Sequence, residues 1–246
     1  MARLKPERRR TIFDWTIRIG FAIVLLVAWE LSTRAQSRAL AAPPSEILRA
    51  FWELTFVEGV IFSETLVTAR AFFMGYGAAI AIGLGVGMLM GRSRLAEYVL
   101  EPYVTLMYAL PSIALIPVLV ILASVFPIIY NTATGVKNVD EELVEVGRSF
   151  CATRRKIATS IVLPAALPLI FAGLRIGLSH ALVGVIGAEI IVVITGLGGL
   201  VIRYADNFQM ANMFVPIIFI ATLAVLITAG MNRFQTVFRR WEVQDE

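Results

Sequence analysis

Glu145-Val146-Gly147-Arg148-Ser149-Phe150-Cys151-Ala152, continuing through Arg154-Arg155-Lys156 to Ile161-Val162-Leu163-Pro164, is a charged, amphipathic stretch set between long apolar runs. Its surroundings decide the fold class. Of the 246 residues, 58% are apolar and 16% charged, and the mean hydropathy is +0.79, well above that of an ordinary soluble domain. A bilayer takes about 20 apolar residues per helical crossing. Such runs lie near 12–31, 66–90, 102–130, 165–194 and 213–231. Irregular backbone exposed to lipid would leave its polar groups unpaired, so the expected class is all-α: a polytopic helix bundle with about five to six membrane segments. What lies between the runs is too short for a second core, and residues 1–246 read as one membrane domain.

Basic residues near span ends stay on the cytoplasmic side. Arg3, Lys5, Arg8, Arg9 and Arg10 precede the first run, Arg92 and Arg94 follow the second, Lys137, Arg148, Arg154, Arg155 and Lys156 fill residues 131–164, and Arg233, Arg239 and Arg240 close the chain. Both termini and the 131–164 loop are therefore expected inside. The basic start could also belong to a cleaved signal peptide with its cleavage region near 39–42, although the long first run favours an uncleaved span. The run 102–130 begins and ends on the inner side, so it crosses twice or not at all. It is short for two full crossings, and prolines at 102, 111, 117 and 127 favour broken or re-entrant helices. A shortened, irregular hairpin is predicted.

Within 139–150, Leu143, Val146 and Phe150 recur at helical spacing and leave Asp140, Glu141, Glu142, Glu145 and Arg148 largely to other faces. One face can dock and another can make polar contacts, and Pro164 is expected to mark a helix boundary before the next span. Taken alone, this periodicity also suits a solvated loop anchored by basic residues. Beyond Pro164, Arg175, Ser179 and Glu189 fall near one helical face, Arg175 and Glu189 within roughly 40° of each other, while His180 points elsewhere. Ionisable groups inside a membrane face a bundle interior or a cavity, so this stripe is either a candidate translocation path or a structural pairing between helices. His180 has no Cys, His or carboxylate partner at ligand spacing, and no metal site is assigned. Cys151 is the single cysteine, which excludes an internal disulfide. Gly83 and Gly87 stand at small-xxx-small spacing for close helix packing. Gly196, Gly198 and Gly199 read as a flexible turn at the outer end of a span. The chain carries no phosphate-binding P-loop and no dinucleotide fingerprint.

Several motifs together resemble one family. They are Ala28-Trp29-Glu30-Leu31, Ala42-Pro43-Pro44-Ser45, the run Ala109-Leu110-Pro111-Ser112 through Pro117, Asn138-Val139-Asp140, Ile161-Val162-Leu163-Pro164 through Pro168, Gly173-Leu174-Arg175 and Ala188-Glu189. The chain is similar to permease subunits of ABC importers of the nitrate, sulfonate, taurine and bicarbonate type. The resemblance implies a type I importer permease fold in a bacterial inner membrane. It also implies an ATPase-coupling loop containing Glu145, Val146, Gly147, Cys151, Ala152, Ile161, Leu163 and Pro164, and a path for a small, anionic solute. The implied partners are a second permease subunit as a homodimer, two cytoplasmic ATPase subunits, an external substrate-binding protein and membrane lipid, with no nucleic acid and no cofactor. Two departures stand out. Cys151 occupies a family glycine, which at positive φ would cost on the order of 1–3 kcal/mol, and the run from Pro117 to Pro127 is short of roughly the outer turn between two spans. The alternatives are a secondary ion-coupled transporter, which needs an internal repeat that is not seen here, a non-transporting paralogue, and a membrane enzyme, for which one His and one Cys offer no base and nucleophile.

Overall fold

In the computed structural model, which describes residues 6–34, 41–109 and 119–239, the regular elements are all helical. They are α1 (Pro6–Arg34), α2 (Pro44–Trp52), α3 (Val60–Arg92), α4 (Arg94–Ala109), α5 (Leu119–Lys137), α6 (Glu141–Ser149), α7 (Arg154–Ile157), α8 (Leu163–Ala188), α9 (Gly196–Asp206) and α10 (Met210–Arg239). Widened π-turns sit at Glu53–Val57, Ala158–Val162 and Glu189–Val193. Among the described residues four helical stretches are long and apolar enough to cross a membrane: Val60–Arg92, Val120–Lys137, Arg154–Ile191 and Met210–Arg233. The run expected at 12–31 falls in α1, whose apolar side chains from Ile17 onward, among them Phe21, Val24 and Leu31, are exposed. A helix satisfies its own backbone, so it can present apolar side chains to lipid without a protein partner.

Glycines set the order of the bundle. A Cβ placed on Gly75, Gly83, Gly87 or Gly91 of α3 would press on Val120, Ile128, Thr132 or Val136 of α5, respectively. The pairs advance in step along both helices, so α3 and α5 run parallel, in close contact over about 24 Å at 1.5 Å per residue. On its other side α5 meets α8 in the opposite sense: Gly135 approaches Ala166 and Leu169, Gly173 approaches Asn131, and Gly177 approaches Ser124 and Ile128. Phe72, Ala79, Ile128, Leu178, Ala181 and Val185 are buried in the resulting core, and the Tyr76 hydroxyl donates to the Leu174 carbonyl at 2.7 Å. Gly83 and Gly87 thus do pack at their small-residue spacing. Gly77 and Gly85, on other faces of α3, meet nothing within 4 Å.

Two parallel helices joined by a single chain require a segment running back between them, and α4 runs in that direction. The Thr105 and Tyr130 hydroxyls are 2.9 Å apart, and Lys137 pairs with Glu97. Those two contacts pair ascending positions on α4 with descending positions on α5, as an antiparallel hairpin does. The hairpin is longer than the apolar run implied, because α4 starts at Arg94 with 16 residues and α5 continues to Lys137 with 19. Hydropathy undercounts both ends, since α4 includes the charged residues Arg94, Glu97 and Glu101 and α5 the polar residues Asn131, Thr132 and Thr134. The expectation of broken helices is corrected at two prolines: Pro102 and Pro127 lie inside α4 and α5. Pro111 and Pro117 lie outside the described residues.

Pro164 is likewise no boundary. Helical structure runs unbroken from Arg154 to Ile191, and the π-turn at Ala158–Val162 immediately precedes the proline. Pro164 cannot donate to the preceding turn and its ring crowds the carbonyl there; a widened turn gives that carbonyl room without ending the helix.

At the opposite end of α3 two of the quoted motifs explain each other. Pro43 offers no side-chain cap to α2; instead Glu30 at the end of α1 accepts from the Ser45 amide at 3.1 Å and the Ser45 hydroxyl at 2.7 Å, while Arg34 braces the same carboxylate at 2.8 Å. Trp29 meets Phe214 of α10 edge-on at 5.9 Å. A second small core of Ala50, Leu54, Ile61, Leu200 and Val215 ties α2, α3, α9 and α10 together there.

Candidate functional site

The first candidate site is built on α6. Asp140 caps it by accepting from the Glu142 amide at 2.9 Å, and Glu141 and Glu142 in the first turn favour the positive helix end. Gly147 is the buried face: a Cβ there would lie 2.7 Å from Ile161 Cδ1 and 3.3 Å from Ile157. A side chain at that position would have to displace the Ile161 methyl against which α6 rests. Leu143, Val146 and Phe150 lie to one side of Gly147 and remain exposed, Phe150 by 83%. Glu141, Val144, Glu145 and Arg148 share a further face, which lines a groove of about 1000 Å³ together with Ala152 and Leu163. The structure therefore gathers Glu145, Val146, Gly147, Cys151, Ala152, Ile161 and Leu163 into one elbow, with Pro164 exposed at the start of α8.

The elbow closes on Cys151. The Cys151 amide donates to the Arg148 carbonyl at 2.8 Å and the Ala152 amide to the Gly147 carbonyl at 3.1 Å, the paired bonds of a Schellman C-cap. Cys151 sits at its left-handed position with φ 55°, where a Cβ is disfavoured. The expected strain is therefore present in the geometry. Cys151→Gly is expected to stabilise the protein by about 1 kcal/mol, read as a higher unfolding midpoint in detergent; an unchanged or lower midpoint would show that the elbow relaxes around the thiol.

At the other end of the bundle, three backbone amides opening α9 are held by side chains from elsewhere. Gly196 donates to Glu64 at 2.7 Å, Leu197 to Thr68 at 2.9 Å, and Gly198 to Glu189 at 2.9 Å. These are orphan donors of a helix start, and Thr195 makes no side-chain cap. The reading of Gly196, Gly198 and Gly199 as a flexible turn is corrected: all three are buried at the start of α9. Gly196 adopts φ +73°, and a Cβ on it would overlap the Glu189 carboxylate; one on Gly198 would lie 2.8 Å from Glu189 Cβ. The preceding Ile194 takes φ 48°, a genuine outlier for a β-branched residue, and a Cβ on Gly199 would overlap its backbone.

The polar stripe on α8 is divided. Arg175, Ser179 and His180 are exposed, and the Ser179 hydroxyl donates back to the Arg175 carbonyl at 3.3 Å. Glu189 is 4% exposed and serves as a brace to α9. Periodicity placed Arg175, Ser179 and Glu189 near one face, but Glu189 opens a π-turn, beyond the regular helix on which that angle rests. Sequence reasoning missed Glu64 and Thr68, although two polar residues one helical turn apart, at the edge of an apolar run, were the available signal.

The sequence profile of the family described as "Binding-protein-dependent transport system inner membrane component" matches residues 79–243, from the middle of α3 past the end of α10. The chain belongs to this family. It is an ABC importer permease of the nitrate, sulfonate, taurine and bicarbonate type, a multi-pass membrane protein of a transport family. It is 28% identical to the taurine transport system permease protein TauC of Escherichia coli (strain K12), over 98% of each chain. It is 26% identical to the bicarbonate transport system permease protein CmpB of Synechococcus elongatus, over 91% of this chain and 86% of that one. Identity to the nitrate import permease protein NrtB of Synechocystis is 22%, over 92% of each. The match to the taurine permease runs over 268 positions against the 246 residues here, so part of that permease has no residue opposite it in this permease.

Proposed function

We propose that this permease forms, as a homodimer, the translocation path of an ATP-driven importer for a small anionic solute such as a sulfonate, taurine or nitrate, and that it couples to two cytoplasmic ATPase subunits through the 139–164 loop, with an external binding protein delivering the solute. Both termini lie in the cytoplasm of a bacterial cell in this arrangement, in keeping with the distribution of Lys and Arg. The observation that carries the reading is α6: a short, capped helix seated rigidly through Gly147 that holds Leu143, Val146 and Phe150 out to solvent. Such a face transmits force only if something covers it, and the resemblance supplies an ATPase. Arg175, exposed on α8 with Ser179, is the group proposed to attract the anion along the path.

The test is co-purification of the full chain in detergent with a candidate ATPase subunit of an importer of this type. Wild type is expected to retain the ATPase, and Val146→Asp/Phe150→Asp to lose it with an unchanged unfolding midpoint, since both side chains are exposed. Retention of the ATPase by the double variant would overturn the assignment of the docking face.

A further inference from the structure

The groove behind α6 is not absorbed by the docking reading, because its lining and the exposed apolar face lie on opposite sides of the helix. Glu141, Val144, Glu145 and Arg148 line it, whereas Leu143, Val146 and Phe150 do not. Its walls come from three parts of the chain: the end of α3 and start of α4, the end of α5, and the elbow leading into α8. Five cations converge on it: Arg92, Arg94, Lys137, Arg148 and Arg154. Lys137 is paired with Glu97. Among the described residues none of the four arginines has an ion-pair partner, and only Glu141 and Glu145 stand against them in the lining. Four guanidinium groups against two carboxylates leave the groove net positive, which suits a phosphate oxyanion that their planar donors can bind bidentately.

The rest of the lining narrows the class. Met88, Met90, Val136, Val162 and Leu163 also face the groove; on α3 Met88 precedes Arg92 by about one helical turn, and on α5 Val136 directly precedes Lys137. The site thus joins an apolar wall, continuous with membrane-spanning helices, to a basic rim at their ends. A free anion would leave the apolar wall unused; a lipid uses both.

We propose that this groove is a binding site for the headgroup of an anionic phospholipid, its phosphate held by Arg92 and Arg94 on one side and Arg148 and Arg154 on the other. The lipid bridges the end of α3 to α6 and so ties the elbow to the bilayer. Basic pockets between membrane helices on the cytoplasmic side are suited to such headgroups. The ATPase-docking reading can fail without touching this one, because it rests on the opposite face of α6.

The full chain, purified in detergent, is titrated with phosphatidylglycerol or phosphatidylcholine and the bound lipid counted by native mass spectrometry. Phosphatidylglycerol is expected to bind at least about tenfold more tightly than phosphatidylcholine, and Arg92→Gln/Arg148→Gln to remove that preference. Arg203→Gln on α9 and Val146→Asp/Phe150→Asp should leave it intact. Equal binding of the two lipids, or an unchanged preference in the arginine variant, overturns the proposal. So does displacement of phosphatidylglycerol by inorganic phosphate at equal concentration, which would make the groove a soluble-anion site. Helical circular dichroism checks that the variant is folded, and Arg94→Gln/Arg154→Gln provides the same test should the first pair fail it.

Discussion

Gly87→Leu is expected to cost this permease about 3 kcal/mol of stability, seen as a large fall in the unfolding midpoint and in the yield of folded protein, while Gly85→Leu, two residues away, is close to neutral. A Cβ at position 87 would lie 2.6 Å from Thr132 Cβ and 2.8 Å from the Ile129 carbonyl oxygen. Neither is the free end of a flexible side chain, so the only relief is separation of α3 from α5. In a membrane the hydrophobic effect does not drive helices together, and close packing of small residues carries much of the association. A wedge at Gly87 therefore removes what holds the parallel pair. At Gly85 nothing lies within 4 Å, so the same leucine reaches lipid or open space. Similar midpoints for the two variants would mean that the glycine face of α3 is not the seam of the bundle.

The bracket at the start of α9 yields the second large effect, testable as a cycle. Gly196→Ala is expected to cost about 3 kcal/mol, combining a left-handed conformation that a Cβ disfavours with overlap on the Glu189 carboxylate. Glu189→Ala alone should cost about 1–2 kcal/mol, because it leaves the Gly198 amide without its acceptor in a buried site. With the carboxylate gone the overlap is gone too, and Gly196→Ala in that background should cost only the backbone part, about 1–2 kcal/mol. The two effects are thus less than additive, as for residues in contact. Strict additivity, measured by unfolding in detergent, would separate Gly196 from Glu189 and remove the brace.

Much was legible because membrane helices obey a severe rule: each must satisfy its own backbone and show apolar side chains to lipid. Hydropathy and the placement of Lys and Arg therefore sufficed to locate the runs and to require that the 102–130 segment cross twice or not at all. The amphipathic α6 was legible for a related reason, since the spacing of Leu143, Val146 and Phe150 is a property of one helix and needs no partner. The strain at Cys151 was foreseeable from its place in a motif. Less was visible where an outcome depended on what lies opposite. Pro102, Pro127 and Pro164 read as breaks, yet helices continue through each of them. Glu189 read as one of a polar stripe with Arg175, yet it turns away to hold α9.

Composition and local spacing by themselves determined that the chain is an all-α membrane protein, where its runs lie, and that a charged amphipathic elbow joins two of them; these follow from the solvent and from single-helix periodicity. Only the tertiary structure decided that α3 and α5 run parallel along a glycine seam, that Glu30 caps α2, and that Glu64, Thr68 and Glu189 seize the start of α9. Each of those depends on a close approach between segments distant in the chain, where a few tenths of an ångström at a glycine or a carboxylate settle which helix lies beside which.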